Sequence, residues 1–153
     1  MGNVLAAIYH CVFAAASVYS GTAAGCTAVP PGTPPNPYDH AGYTGSYPRM
    51  QIWHGTADTT VVYHNFGEEL KEWSKVLGAS FTSNVTNSSQ PGYTQMIYGN
   101  TLVGYSAGGV GHVVPPHPVQ ALNWFGFRQD RLDGGWHYKT VFVLEIEGTY
   151  GLL

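Results

Sequence analysis

Charge is scarce in this 153-residue chain, because only 10% of its residues are Asp, Glu, Lys or Arg. An average soluble domain carries about 25%. The formal net charge is −3, and a nucleic-acid partner would require a clustered basic face instead. Long apolar runs are also missing, since none approaches the roughly 18 residues of a membrane-spanning helix. The sequence therefore predicts neither a nucleic-acid partner nor a membrane partner.

Cysteine is nearly absent as well, with only Cys11 and Cys26 in the chain. A disulfide between them and a free buried thiol at either position are both compatible with the sequence. No Lys or Arg precedes the apolar stretch at residues 4–18, and Tyr9 and His10 interrupt it. A signal peptide is therefore not favoured. An abrupt, alanine-rich opening is more typical of a chain cut from something longer.

The apolar pattern of the first half alternates between helical and extended character, which indicates an α/β protein. Residues 3–9 favour a helix with Asn3 as its cap. Residues 12–20 suit a strand buried on both faces, and six prolines make residues 30–48 an ordered surface loop. Strand character returns at residues 49–53.

The second half continues with an amphipathic helix over residues 65–77, which Gly78 ends. Residues 82–92 are expected to form a polar loop. Two strands, 94–98 and 101–105, are joined by a hairpin-type turn, and an amphipathic helix covers 119–127. Residues 1–127 are thus predicted to form one domain. Residues 128–153 form a divergent tail of uncertain structure that holds seven of the fifteen charged residues.

Asp58 is the first candidate site residue. It follows a short apolar run and a His-Gly turn, so its carboxylate is expected just past a strand end. Turn residues are often aspartate for purely structural reasons. In hydrolases, however, a carboxylate at such a strand end accepts the Nδ1 proton of a histidine and stabilises the imidazolium that forms.

His112 is the second candidate, in the glycine-rich segment Gly109-Val-Gly-His112. The flanking glycines allow the backbone to bend so that the imidazole reaches over a sheet, and Pro115-Pro116 stiffens the exit. The order Asp then His matches the second half of a Ser…Asp…His order. A metal pair of His112 with His117 is not expected, because their spacing across two prolines fits no helical ligand pattern.

The serine of Gly104-Tyr-Ser106-Ala-Gly108 matches G-x-S-x-G letter for letter. A nucleophile elbow requires a strand before the serine and a helix directly after it. Glycines follow instead, and Ser106 comes after Asp58 and only six residues before His112. The match is therefore interpreted as chance.

Several further segments carry a resemblance to a known family, and they occur in the expected order along the chain. They are residues 12–21, Gly25-Cys26, residues 48–60, the helix around Trp73, Gly92-Tyr93-Thr94, Gly109-Val-Gly-His112 and Trp124-Phe125-Gly126. With them the chain resembles fungal acetyl xylan esterases and feruloyl esterases of the first carbohydrate esterase family. Those enzymes share a fold with extracellular polyhydroxybutyrate depolymerases.

The resemblance implies the C-terminal portion of an α/β-hydrolase fold, a three-layer sandwich that is incomplete at the N-terminus. It implies a secreted, extracellular enzyme, monomeric when complete and without a cofactor, that removes acetyl or feruloyl groups from plant xylan. Asp58 then corresponds to the triad acid and His112 to the general base. The nucleophilic serine of such enzymes precedes a helix like residues 3–9, so serine and oxyanion donors are expected upstream of Met1. This chain alone is therefore expected to be inactive, and the alternative is a non-catalytic carbohydrate-binding remnant.

Asn84 and Asn87 each begin an Asn-x-Ser/Thr acceptor for N-glycosylation in a polar stretch. Such matches arise often by chance, and a pair in one segment favours a secreted eukaryotic protein. Aromatic rings could line a carbohydrate cleft, although core packing is the better interpretation for Trp73 and Trp124 at helical spacing. Tyr43 and Tyr47 are more plausible at a surface.

Overall fold

A five-stranded sheet forms the centre of the computed structural model, which describes residues 2–23 and 45–127. Within this part the helices are α1 (Gly2–Ile8), α2 (His64–Val76) and α3 (Pro118–Trp124), and the strands are β1 (Ala15–Tyr19), β2 (Arg49–Gly55), β3 (Ser83–Thr86), β4 (Tyr93–Tyr98) and β5 (Leu102–Ala107). The prediction of an α/β protein is confirmed. No helix in the described ranges is long and apolar enough to cross a membrane.

The order of strands across the sheet is β1-β2-β5-β4-β3. Strands β1, β2 and β5 run parallel, whereas β4 pairs antiparallel with β5 and β3 pairs antiparallel with β4. The carboxyl ends of the three parallel strands therefore meet at one edge of the sheet. Ligands of open α/β sheets bind at this edge, so the loops after β1, β2 and β5 are the place to look for a site.

Both faces of the central strands are covered, which explains why β1 and β5 are buried along their whole length. Side chains alternate between the faces of a strand. On β2, Met50 and Ile52 pack with the helical residues Leu70 and Trp73 on one face. Trp53 points to the other face and joins an aromatic cluster there.

Helix α2 follows the predicted spacing closely. Phe66, Leu70 and Trp73 are its buried apolar side chains, and each such side chain contributes about 1.5–3 kcal/mol on burial. Gly78 has a φ of +60°, the left-handed conformation that ends helices. The predicted helix, its end and the core position of Trp73 are confirmed. Trp53, also fully buried, is a core residue and not a wall of an open cleft.

Three boundary predictions are wrong, each because tertiary contacts override local sequence. Asn3 lies inside α1 and is buried, so its side chain serves the core and not the helix end. The stretch 82–92 is not wholly a loop, because β3 pairs with β4 through residues 83–86. The predicted strand at 12–20 begins only at Ala15.

The last helix is also shorter than predicted. It ends at Trp124 and buries none of its own side chains, while Phe125 directly after it is buried. Tyr47 is half-buried against the core. Cys11 is free and exposed, so the alternative of a buried thiol does not apply to Cys11. Tyr43, Cys26, most of the proline-rich segment 30–48 and the tail 128–153 lie outside the described residues.

Candidate active site

Asp58 lies in the turn after β2, with its side chain buried. Its Oδ1 accepts the backbone N–H groups of Thr60, at 2.8 Å, and of Val61, at 2.9 Å. Aspartate favours this local arrangement, in which the side chain closes a turn two or three residues ahead. The two bonds occupy one carboxylate oxygen and leave Oδ2 available for a partner from elsewhere in the chain.

That partner is His112, whose Nδ1 lies 2.9 Å from Oδ2 of Asp58. The structure therefore brings together the two candidates that the sequence separates by 54 positions. A carboxylate only accepts hydrogen bonds, so Nδ1 carries the proton and Nε2 is the unprotonated nitrogen of the neutral ring. The imidazole is 37% exposed, whereas the carboxylate is wholly buried. This arrangement suits an imidazole that exchanges a proton with a bound molecule.

The pKa of Asp58 reflects two opposing effects. Burial by itself raises the pKa, because it disfavours the charged form. The hydrogen bonds from His112 and from the N–H groups of Val61 and Thr60 outweigh burial, and the pKa of Asp58 lies below its ordinary value. The carboxylate is thus held in the ionised form that an imidazole partner requires.

Glycine at position 55 allows the β2 turn and the His112 loop to approach each other. A Cβ there would lie 2.2 Å from the carbonyl oxygen of Val110 and 2.3 Å from that of Gly111, and both oxygens are rigid backbone atoms. The N–H of Ala57 also donates to the Val110 carbonyl at 2.9 Å. The His-Gly turn that marked Asp58 in the sequence therefore has a second purpose, the close passage of the His112 loop.

The His112 loop is bent by fewer glycines than the sequence indicated. Gly109 adopts a φ of +72°, and its N–H donates to the Thr56 hydroxyl at 2.8 Å. Gly111 has no left-handed φ, and a Cβ there would meet open space. Of the two flanking glycines, Gly109 alone carries the conformational requirement.

Ser20 was not selected from the sequence, although it directly follows β1 beside the site. Its hydroxyl donates to the backbone carbonyl of His112 at 2.5 Å, and its N–H donates to the carbonyl of Trp53 at 2.8 Å. Ser20 is buried and has a φ of +45°, a region that non-glycine residues rarely adopt. A serine before glycine at the end of a buried strand was the available sequence signal. Nothing in the sequence indicated that its hydrogen-bond partner would be the carbonyl of His112, 92 positions away.

His54 is the histidine of the His-Gly turn before Asp58, and the structure gives it a more specific position than a turn residue needs. The ring is fully buried, with Nε2 2.8 Å from the Val61 carbonyl and 3.3 Å from Oδ2 of Asp58. Its other nitrogen faces Glu69. Asp58 therefore has one imidazole on its outer side and another on its inner side.

His117 belongs to the opposite face of the sheet. Its ring stacks on Trp53 with centroids 4.4 Å apart and planes inclined by 2°. Burial lowers the pKa of His117 below its ordinary value, which favours the neutral imidazole ring that stacks on Trp53. The described ranges contain no group of three or more His, Cys, Asp or Glu that could hold a metal ion.

Ser106 lies in the interior of β5, and its hydroxyl is 2.8 Å from the Tyr63 hydroxyl. Gly108 and Gly109 follow the strand, and the next helix begins only at Pro118. The strand–turn–helix arrangement of a nucleophile elbow is therefore absent around this serine.

Asn84 and Asn87 are both exposed. Asn84 lies in the edge strand β3. Asn87 follows it with a φ of +55°, and its side-chain oxygen accepts the N–H of Gly92 at 3.0 Å. The Asn84 side chain is therefore the more accessible of the two acceptors.

Fold and site together define a mixed α/β protein with a buried carboxylate–imidazole pair at the carboxyl edge of its parallel strands. The chain is 42% identical to feruloyl esterase B of Talaromyces stipitatus, over 82% of this chain and 42% of that protein. It is 40% identical to acetylxylan esterase A of Talaromyces purpureogenus, over 83% of this chain and 40% of that protein.

Comparison with solved structures also finds similarity to an esterase of this kind. An acetyl xylan esterase from Aspergillus awamori superimposes with a TM-score of 0.76 at 38% identity, covering 84% of this chain and 56% of that chain. No protein-family profile matches the chain. The chain is homologous to the fungal acetylxylan and feruloyl esterases, as the sequence motifs predicted. It spans less than half the length of the two Talaromyces relatives.

Proposed function

We propose that this chain is the C-terminal portion of an α/β-hydrolase, a secreted carboxylic ester hydrolase that removes acetyl or feruloyl groups from xylan. The observation that carries the proposal is the 2.9 Å contact between Nδ1 of His112 and Oδ2 of the buried Asp58. Homology to proteins named feruloyl esterase and acetylxylan esterase supports the acyl and polysaccharide classes. The complete enzyme is proposed to act as a monomer.

In this proposal His112 is the general base. Its Nε2 takes the proton of a serine hydroxyl as the serine oxygen attacks the ester carbonyl, and then gives the proton to the sugar oxygen as its bond to the acyl carbon breaks. Asp58 holds Nδ1–H throughout, which maintains the tautomer and stabilises the imidazolium. Water, activated by the same imidazole, then releases the acid from the serine.

The nucleophile is proposed to lie in a segment that precedes residue 1 in a longer protein. The buried serines around the site are engaged elsewhere. Ser17 donates to the Gln51 side chain at 2.8 Å, Ser20 donates to the His112 carbonyl, and Ser106 lies within a strand next to Tyr63. None of them starts a helix, so none has the strand–turn–helix setting of an activated serine.

A chromogenic acetate ester tests the proposal. This chain alone should show no turnover above background, because in this proposal the nucleophile and the oxyanion donors belong to the longer protein. The longer gene product should hydrolyse the ester, and His112→Ala should abolish the activity while Ser106→Ala retains it. Turnover by the present chain that disappears in Ser106→Ala would overturn the assignment of the nucleophile.

A non-catalytic carbohydrate-binding remnant is the competing function, and it would need an exposed aromatic platform. In the described ranges Trp53 and Trp73 are buried, and Trp124 is half-buried beneath the guanidinium of Arg49. A pull-down with insoluble xylan separates the two functions. Retention of this chain on xylan without any hydrolysis by the longer product would favour the binding function.

A further inference from the structure

A chain of buried polar side chains runs from α1 to Asp58 beneath the proposed active site. It begins at Asn3, whose side-chain oxygen accepts the indole N–H of Trp73 at 3.0 Å. Because an indole N–H can only donate, this contact fixes which end of the amide is oxygen. The amide nitrogen then donates to the Thr22 carbonyl at 2.9 Å and to Oε1 of Glu69. Asn3 thus holds one oxygen of a buried carboxylate.

The other oxygen of Glu69 faces His54. Oε2 of Glu69 lies 3.9 Å from Nδ1 of His54, and both side chains are fully buried. Neither atom has a hydrogen-bond partner among the described residues. A buried carboxylate without a countercharge is strongly unfavourable. The separation of 3.9 Å is that of an ion pair, and His54 is the neighbouring group that can supply the positive charge.

The proton positions on His54 follow from its neighbours. Nε2 faces the Val61 carbonyl at 2.8 Å and Oδ2 of Asp58 at 3.3 Å, and both are acceptors. Nε2 therefore keeps its proton, so the nitrogen that titrates is Nδ1, the one facing Glu69. The Tyr63 ring packs edge-on against the His54 ring, with centroids 6.1 Å apart. His112 lies on the other side of Asp58 from His54.

The electrostatic surroundings agree with this geometry. Burial lowers the pKa of His54, but the contacts with Glu69 and the Val61 carbonyl, together with the carboxylate of Asp58, outweigh burial and raise the pKa above its ordinary value. The ring is thus flanked by two buried carboxylates, one on each side.

We propose that His54 is a positioning residue for Asp58, held as a cation by Glu69, so that the carboxylate is clamped between an inner and an outer imidazole. The inference rests on the proposed function of Asp58 as the partner of His112. Backbone N–H groups hold Oδ1 of Asp58, and His54 and His112 share Oδ2. The inner imidazole keeps the carboxylate ionised and aligned while the outer one gains and loses its proton. Glu69 acts through His54 and touches neither Asp58 nor a substrate.

Nuclear magnetic resonance of the imidazole nitrogens tests the inference on this chain directly. In the unsubstituted protein, both nitrogens of His54 should carry protons in more than half of the molecules at pH 6.5, the ordinary pKa of the group. This measurement requires no substitution. A His54 that is mainly neutral at that pH would overturn the inference.

Glu69→Gln provides the second test, because it removes the charge and keeps the shape. The titration of His54 should move to lower pH, and the downfield resonance of the His112 Nδ1–H should broaden or disappear through faster exchange. Glu68→Gln is the matched control. Glu68 is the neighbouring carboxylate on α2 and forms a surface pair with Lys71 at 2.7 Å, so neither readout should change.

An unchanged His112 resonance in Glu69→Gln would show that the buried pair has only a structural role. Both readouts report proton positions, so they do not depend on whether the longer protein hydrolyses esters. Failure of the ester assay together with the expected resonances would refute the proposed function and leave the clamp intact. The reverse result would refute the clamp alone.

Discussion

Ser20 donates a hydrogen bond of 2.5 Å from its hydroxyl to the backbone carbonyl of His112. The bond joins the end of β1 to the loop after β5, across the intervening strand β2. His112 is thereby held at three points: its imidazole by Asp58, its carbonyl by Ser20, and its loop by the close passage over Gly55.

Ser20→Ala should destabilise the protein by about 1 kcal/mol, the typical net value of one hydrogen bond. Ser20→Gly also removes the hydroxyl, but it relieves the left-handed φ of +45°, which costs a residue with a Cβ roughly 1–2 kcal/mol. The glycine variant should therefore be the more stable of the two in denaturant unfolding. Equal stability of both variants and the unsubstituted protein would show that the Ser20 bond contributes nothing.

Gly55→Ala should lower the free energy of unfolding by about 3 kcal/mol or more, because the methyl group would overlap two backbone oxygens that cannot rotate away. It should also displace the His112 loop and remove the hydrogen-bonded Nδ1–H resonance. Gly111→Ala is the control, since its methyl group meets open space. The prediction fails if both alanines are tolerated equally.

The pH dependence of stability should carry the signature of His54. Its pKa is raised on folding, so its contribution is fully present below pH 6.5 and is lost as pH rises through the higher folded pKa. Denaturant unfolding between pH 6.5 and the ordinary tyrosine pKa of 10.0 should therefore show falling stability. His54→Gln should flatten that slope.

His117 and Asp58 act outside this window. The lowered pKa of His117 affects stability only below 6.5, with stability lost as pH falls. The lowered pKa of Asp58 contributes stability above its ordinary value of 3.8, which is lost as pH falls further, through the folded pKa. If stability still falls above pH 6.5 in His54→Gln, the pH dependence belongs to another group.

Asp58→Asn in the longer esterase proposed above should lower kcat by a factor on the order of 10⁴, the effect of the equivalent change in serine proteases. An amide donates as well as accepts, so it favours the wrong tautomer of His112. KM should change little, because the carboxylate is wholly buried behind the imidazole of His112. A steady-state comparison with Ser106→Ala, which should retain activity, checks the prediction. A normal kcat for the amide variant would contradict it.

Expression in a secreting eukaryotic host should attach N-linked glycan to Asn84 in preference to Asn87. Asn84 is exposed on an edge strand, whereas the Asn87 side chain is engaged with Gly92. Thr86→Ala removes the first acceptor and Ser89→Ala the second. Mass spectrometry before and after glycosidase treatment should show the loss mainly in Thr86→Ala. An unglycosylated secreted product would contradict the prediction.

Local periodicity predicted most of the secondary structure for a physical reason: a helix or strand that buries one face must repeat apolar residues at its own period. The amphipathic repeat of α2 and the hairpin around Gly99 are cases of this kind. Strand β3 escaped prediction because Ser83–Thr86 is exposed along its length. Its extended form comes from pairing with β4 and not from burial.

Asp58 and His112 could be selected from the sequence because each carries a local mark, a His-Gly turn in one case and a glycine-rich loop in the other. Ser20 and His54 carry weaker marks, a serine before glycine at a strand end and the histidine of the His-Gly turn itself, and Glu69 carries none. Their partners lie on other elements, and the distance along the chain from Asn3 to Glu69 is 66 residues. Only the packing of α1 and α2 on the sheet determines which buried polar groups meet.

The sequence by itself thus determined the alternation of helices and strands, the kinship with fungal esterases, and the two candidate residues, one just past a strand end and one in a glycine-rich loop. The tertiary structure alone decided that those residues touch, that a serine from a third strand holds the histidine loop, and that a second imidazole lies behind the carboxylate. The physical reason is that helix and strand periodicity depends on residues close together along the chain. Hydrogen bonds and ion pairs between elements depend on distances that exist only after the sheet has formed.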